Sequence, residues 1–181
     1  MGDCHYLEGN VQAEKKIRVT RKLLDIAGIG QERLHLAWVS SAEAQRFVEI
    51  VTGVIDSVRS KGPLDVKTFE MELAAAEMTV DGETLRWMVG KEVTITSKGD
   101  VYGRTWETER YEAVLDTMLE REYQKNLIYV AMKKGCSSVR DVSKKTGLDL
   151  QRVSYLLADL EKTNMVEFSA MKERKPVFVA R

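Results

Sequence analysis

The spacing of hydrophobic side chains at the start of the chain predicts a helix followed by a strand. Apolar residues recur at helical intervals across residues 12–27, with a charged face between them. Gly28 and Gly30 end this pattern, because glycine adopts the left-handed conformation of a helix end at no steric cost. Residues 34–39 are short, apolar and followed by serines, which is typical of a buried strand.

A second helix is predicted directly after this strand. Ser40 and Glu43 have the spacing of a capping box, in which the serine accepts from a helix amide and the glutamate reaches back. The residues that follow form a strongly amphipathic pattern that Gly62 and Pro63 close. A helix, a strand and a helix are part of an open α/β layer, but one strand makes no sheet. The partner strands must come from upstream or from another chain.

Residues 63–121 are predicted to form a helical middle segment. Most of their apolar positions fall on helix faces, and a long helix begins at about Thr108. Residues 93–96 are β-branched, so their local structure is ambiguous.

The end of the chain predicts a winged helix-turn-helix over residues 122–181. A first helix ends at Gly135, and a short second helix runs into Gly147, which supplies the sharp bend of the motif. Asp149 caps a third helix, and two β-type runs follow it as the strands of a wing.

Together these patterns predict a mainly α protein with a small β component. Its parts are a partial α/β layer (helix–strand–helix) over residues 1–62, a helical extension over 63–121 and the winged helix over 122–181. The chain has no net charge, yet the last part carries twelve basic and seven acidic residues. This asymmetry indicates either modules with different partners or modules that dock on each other.

Composition indicates where the protein works. With 44% hydrophobic residues the chain can bury a core. No apolar run approaches the roughly 18 residues that span a bilayer, and the start lacks the pattern of a secretory signal. We therefore expect a cytoplasmic protein. The two cysteines, Cys4 and Cys136, lie far apart in sequence and are expected as thiols or metal ligands rather than as a disulfide.

The most specific motif is the run Gly-Asp-Cys-His-Tyr-Leu-Glu-Gly-Asn over residues 2–10. It resembles the signature of the iron–sulfur delta subunit of methyl-viologen-reducing hydrogenase, a family that includes subunits attached to heterodisulfide reductase. The middle segment of this chain looks like an extension seen in some members that end in a winged helix. The likeness covers about sixty residues and continues at Lys15, Lys16, Arg21, Gly28, Ile29, residues 32–34 and residues 40–43.

The resemblance implies an accessory role in a redox complex, without turnover of a substrate by this chain alone. Delta subunits of the family bind a [2Fe–2S] cluster. They pass electrons between a hydrogenase or formate dehydrogenase and a reductase subunit that contains flavin and iron–sulfur clusters. Cys4 matches the cysteine of the motif, so it is the metal and cofactor ligand that the resemblance carries over. His5 beside it is a candidate for supporting that ligand, or is simply structural.

The number of ligands departs from the family pattern. A [2Fe–2S] cluster needs four protein ligands, usually thiolates, and Cys4 alone is too few. Family members carry a preceding region with sheet strands and further cysteines, whereas this sequence begins inside the motif. Three explanations stay open: the missing region is a separate polypeptide, the start was placed downstream of a selenocysteine codon or a frameshift, or the protein is a cluster-free remnant kept for docking.

A function of another class also fits the sequence: a winged-helix DNA-binding regulator in which Cys4 senses redox state. The third helix exposes groups suited to a DNA groove, and the wing adds basic residues for the phosphate backbone. Acidic side chains on the same helix weaken the phosphate attraction that dominates affinity. The nucleic-acid contacts predicted for this alternative are Gln151, Arg152, Tyr155, Arg174 and Lys175.

Overall fold

The computed structural model describes residues 5–6, 8–172 and 175–181, and for Lys172 and Lys175 it describes the backbone alone. Most of the described residues are helical, and the strands among them form one two-stranded antiparallel sheet. The predicted fold class, mainly α with small β, is confirmed. Within this described part, each helix is too short or too polar to cross a lipid bilayer.

The chain divides into two compact units, residues 1–69 and residues 70–181, and each is described by itself. The first unit contains helix α1 (Gly9–Ile26), a single 3-10 turn (Gln31–Arg33) and helix α2 (Ala44–Lys61). Both helices lie where the hydrophobic pattern predicts them.

The end of α1 depends on glycine, as predicted. Gly28 and Gly30 have φ angles of 72° and 94°, in the region that L side chains rarely adopt. A Cβ built on Gly30 would lie 2.5 Å from a carboxylate oxygen of Glu32, so that flexible side chain would also have to move, but the requirement for glycine comes from the backbone. The chain can therefore turn directly from α1 into the 3-10 turn.

Of the two hydrogen bonds in the capping box predicted before α2, one is present as predicted. The Glu43 carboxylate reaches back and accepts from the Ser40 amide at 2.7 Å. This hydrogen bond, followed by one from Arg46, lowers the pKa of Glu43. However, α2 begins only at Ala44, and the Ser40 hydroxyl accepts from the Ala42 amide at 3.4 Å, ahead of the helix. The box therefore shapes the turn that leads into α2.

The buried strand predicted over residues 34–39 is wrong for the described part of the chain. The segment is extended, with φ −112° and ψ 117° at Leu34, but it joins no sheet there and alternate residues are exposed. The physical reason is that a strand forms only by pairing with a neighbouring strand. The sequence pattern shows that a segment favours the extended conformation, but it does not show whether a partner strand lies beside it.

The second unit begins with helix α3 (Glu70–Asp81) and helix α4 (Glu83–Val93), which continues into a π-helical turn (Thr94–Lys98). The ambiguous residues 93–96 are therefore helical. A long helix, α5 (Thr108–Lys133), follows at the predicted position.

Buried hydrogen bonds join these helices. The Tyr111 side chain is fully buried, and its hydroxyl donates to the Met88 carbonyl at 2.8 Å. The Asn126 side chain donates to the Thr79 hydroxyl at 2.9 Å, and that hydroxyl donates to the Ala75 carbonyl at 2.7 Å. Because a buried polar group costs free energy unless it is paired, these contacts fix how α3 and α4 pack against α5.

Helix α5 runs without a break across residues 121 and 122, where the sequence pattern placed a boundary between two domains. Its buried stripe passes through Leu115, Leu119, Tyr123 and Leu127 at helical spacing. The middle segment and the C-terminal module, defined as residues 122–181, therefore share one helix.

The C-terminal module follows the predicted order of elements. After α5 come helix α6 (Val139–Thr146), helix α7 (Leu150–Lys162), strand β1 (Val166–Lys172) and strand β2 (Lys175–Ala180). Between α6 and α7, Gly147 has a φ of 75° and provides the predicted bend.

Side-chain caps and an apolar core hold the module together. The Ser138 hydroxyl accepts from the Asp141 amide at the start of α6, and the Asp149 carboxylate accepts from the Arg152 amide at the start of α7, as predicted. The core beneath them consists of Ile128, Met132, Val142, Val153, Leu156, Leu157, Leu160 and Val166, each at most 6% exposed.

Replacing Gly147 by alanine should destabilise the second unit, because a left-handed conformation costs an L residue roughly 1–2 kcal/mol. Gly90→Ala is the matched control, since Gly90 lies inside α4 and a Cβ there meets nothing within 4 Å. That change should stabilise the unit by about 0.5–1 kcal/mol. Urea unfolding of the full chain, followed by circular dichroism, measures both. Midpoints that move in the same direction would contradict this account of the bend.

Candidate functional site

The motif at the start of the chain leads into the first turn of α1. Cys4 lies outside the described residues, as do residues 2 and 3. His5 is exposed, and its ring meets the Tyr6 ring edge-on with centroids 5.3 Å apart. The Gly9 amide donates to the Tyr6 carbonyl at 3.0 Å, which starts the helix. The supporting role of His5 stays a prediction.

Two arginines hold the extended segment and the helix that follows it in the first unit. Arg21 of α1 donates from Nε to the Leu34 carbonyl at 2.8 Å. Arg33 donates to the Gly62 carbonyl at 3.2 Å, at the end of α2. In the sequence, only the family resemblance draws attention to these arginines. No residue spacing predicts that they donate to a loop carbonyl and to a carbonyl at a helix end.

The extended segment has the two-residue alternation of a strand. Leu34, Leu36 and Trp38 are half-buried, whereas His35, Ala37 and Val39 are exposed. Within the described residues, no backbone–backbone hydrogen bond joins residues 35–39 to another segment. The segment therefore has strand geometry without a strand partner in the described part of the molecule.

Helix α2 exposes much of its apolar surface. Ile50 and Val54 are half-buried, and none of the residues of α2 is fully buried. The exposed apolar face of α2 is defined by Phe47, Val48, Val51, Ile55 and Val58, which are 37–61% exposed. Contiguous exposed apolar side chains of this kind are typical of interaction surfaces.

Cys136 lies in the other unit, in the turn after α5. It is half-buried and packs against the core of the C-terminal module. Burial, and secondly the charge of Asp141, raises the pKa of its thiol. The raised pKa lowers the fraction of thiolate, which is the form that binds metal.

The described residues lack the ligand set of an iron–sulfur cluster. Such a cluster takes four ligands, mostly thiolates. Among the described residues, no three His, Cys, Asp or Glu side chains come together to hold a metal ion. This part of the chain does not by itself fit a [2Fe–2S] cluster.

Residues 1–62 match the model of one protein family. That family is the methyl-viologen-reducing hydrogenase delta subunit. The match takes in the motif, α1, the extended segment and α2, and we call residues 1–62 the delta-like segment. The predicted resemblance is confirmed for this part of the chain.

Curated relatives match a stretch of similar length. The iron–sulfur subunit of the F420-non-reducing hydrogenase of Archaeoglobus profundus is 41% identical over 63 residues, which are 35% of this chain and 46% of that protein. The corresponding vhu iron–sulfur subunit of Methanocaldococcus jannaschii is 39% identical over 66 residues, 36% of this chain and 49% of that protein. One subunit of the Ferredoxin:CoB-CoM heterodisulfide reductase of Methanosarcina mazei is 33% identical over 64 residues, 35% of this chain and 8% of that protein.

These matches are partial on both sides. This chain spans about half the length of the two hydrogenase relatives, and the other half of each lies outside the match. No solved structure matches the chain. The delta-like segment is thus similar to proteins that are named as iron–sulfur subunits of hydrogenases and to one subunit of heterodisulfide reductase.

The nucleic-acid contacts predicted for the alternative function lie on or beyond α7. Gln151 is exposed, but Arg152 donates from Nε to the Gln124 side chain at 2.6 Å and so is held against α5. Tyr155 is exposed, with the Arg121 guanidinium 5.8 Å from its ring centroid. Arg174 and the side chain of Lys175 lie outside the described part. Contact with nucleic acid stays a prediction.

The raised pKa of the Cys136 thiol predicts slow alkylation, because the thiolate is the reactive form. In a Cys4→Ser variant Cys136 is the sole remaining thiol. At about pH 8, close to the usual thiol pKa, iodoacetamide should modify the native variant several-fold more slowly than the urea-unfolded variant. Mass spectrometry over time measures both rates. Equal rates in the two states would refute the burial of this thiol.

Proposed function

We propose that this protein is an accessory docking and electron-transfer subunit of a heterodisulfide-reductase-type complex linked to a hydrogenase or a formate dehydrogenase. The observation that carries the proposal is the match of residues 1–62 to the delta subunit family. The relatives also support it, because one is named as a hydrogenase iron–sulfur subunit and another as a subunit of heterodisulfide reductase, the two enzymes that such a complex joins.

In this proposal Cys4 is one ligand of a [2Fe–2S] cluster whose other ligands come from outside this chain. A thiolate at Cys4 would hold one iron, and the cluster supplies one-electron chemistry when it is bound. The described residues offer no group of three ligating side chains, and Cys136 is half-buried with a raised pKa. The proposal therefore assigns the remaining thiolates to a partner.

The chain's own residues prepare this site for a partner. The Tyr6–Gly9 hydrogen bond fixes the peptide that follows Cys4 onto the start of α1. The exposed His5 ring can donate a hydrogen bond to a ligand or a sulfur, the kind of support that tunes a metal centre. The partners are a reductase subunit with flavin and iron–sulfur clusters and a hydrogenase or formate dehydrogenase. The complex, and not this chain alone, turns over substrate in the cytoplasm.

The cluster proposal is tested on the complex isolated from the natural organism through a tag on this chain. We expect iron and acid-labile sulfide in excess of the partners' own clusters, together with an electron paramagnetic resonance signal of a reduced [2Fe–2S] centre. Cys4→Ser should remove about two irons per complex, because it removes a ligand.

Cys136→Ser is the matched control, since it removes the other thiol of the chain and should leave the iron content unchanged. If Cys4→Ser leaves both the iron content and the resonance signal intact, the electron-carrier function is wrong.

A further inference from the structure

The two apolar sides of α2 have different surroundings. Successive residues of a helix are about 100° apart, so Ile50 and Val54 lie on one side and Phe47 and Val51 lie next to them on the adjoining side. The first pair is half-buried, whereas Phe47 and Val51 are 55% and 37% exposed. One half of a single wide apolar face is therefore half-buried, and the other half is exposed.

The dimensions of helices and strands explain this division. A helix with its side chains is about 10 Å wide, and neighbouring strands are about 4.8 Å apart, so a helix on a sheet covers roughly two strands. Within its described residues, the first unit offers one strand-like segment, residues 34–39. Leu34 and Ser57 line one cavity, and Ser57 lies on the same side of α2 as Ile50 and Val54, so the extended segment begins beside that side. A single strand is about half as wide as a helix, which leaves room for another strand beside it.

The extended segment, residues 34–39, also has room for a neighbouring strand. Its exposed side chains include Ala37 and Val39, so both of its faces are largely apolar, as in strands covered on two sides. No described segment reaches residues 35–39 with a backbone–backbone hydrogen bond. An unpaired strand between two helices is a template to which another strand adds.

We infer that the exposed apolar face of α2 and the backbone of residues 35–39 form one docking surface for a polypeptide segment, from outside residues 1–181, that brings the edge of a β-sheet. The inference rests on the proposed function and names the partner surface that this function requires. The occupant is a segment equivalent to the half of the hydrogenase relatives that lies outside the match.

Two observations select this occupant. The hydrogenase relatives carry about as many residues outside the match as inside it, so their matched part has further chain available to cover it. In the heterodisulfide reductase relative, a match of similar length is 8% of a far longer protein. A second copy of this chain is a weaker occupant, because it would add one strand from residues 34–39, and a two-stranded sheet is marginal in water.

The test uses the full 181-residue chain. The probe is the unmatched half of the Archaeoglobus profundus hydrogenase relative, produced in the same cells. We expect a stable one-to-one complex. On binding, hydrogen exchange at alternate amides of residues 35–39 should slow by about tenfold or more, since one neighbouring strand pairs every second amide. Absence of a complex, or a complex in which these amides exchange as fast as in the free chain, overturns the inference.

A pair of glutamate substitutions tests the helix face. Val51→Glu places a charge in the centre of the exposed apolar face of α2 and should weaken binding by more than about tenfold. Gly53→Glu is the matched control, because Gly53 is about 200° round the helix from Val51 and a Cβ there meets nothing within 4 Å. It should change affinity less than about twofold. Circular dichroism checks that both variants keep their helices, and equal loss of binding in both overturns the inference.

This test fails independently of the cluster proposal. A complex with protected amides in which Cys4→Ser changes no iron supports the docking surface and refutes the electron carrier. A native complex that loses iron with Cys4→Ser but tolerates Val51→Glu supports the electron carrier and overturns the docking surface.

Discussion

A β-strand satisfies its backbone only through a neighbouring strand, and the first unit contains a strand-like segment without one among its described residues. The rest of the account depends on this constraint. It agrees with the exposure of large apolar side chains on α2, because no described strand pairs with residues 35–39 to widen the surface on which they would pack. In the proposed function, the segment that adds the strands supplies sulfurs as well.

The two units differ in how far they complete their own structures. The second has a continuous core, caps at the starts of α6 and α7, and buried hydrogen bonds that join α3 and α4 to α5. The first has two helices that arginine side chains hold to loop carbonyls, and its helix α2 has no fully buried residue. A self-sufficient unit joined to an incomplete one suits an accessory protein of a complex, in which one part folds and the other docks.

Local chemistry made most of the second unit predictable from sequence. The bend at Gly147 and the helix cap at Asp149 each follow from the chemistry of a single residue type. The buried positions of α7 follow from helical spacing. The boundary expected near residue 121 marked no break, because the helical pattern on either side belongs to one helix. The strand over residues 34–39 was not predictable as an unpaired segment, because pairing depends on residues elsewhere. The candidate site around Cys4 was predicted only from the family resemblance. The hydrogen bonds that Arg21 and Arg33 make became known only from the structure.

The central claim is that a β-strand from outside residues 1–181 completes the α/β layer of the first unit. A cryo-electron microscopy structure of the chain in its native complex tests it most directly. The account predicts an added strand hydrogen-bonded to the backbone of residues 35–39, with apolar side chains of the added segment covering Phe47 and Val51. A structure in which residues 35–39 pair with a strand from within residues 1–181, or stay in solvent while the complex is intact, would contradict it.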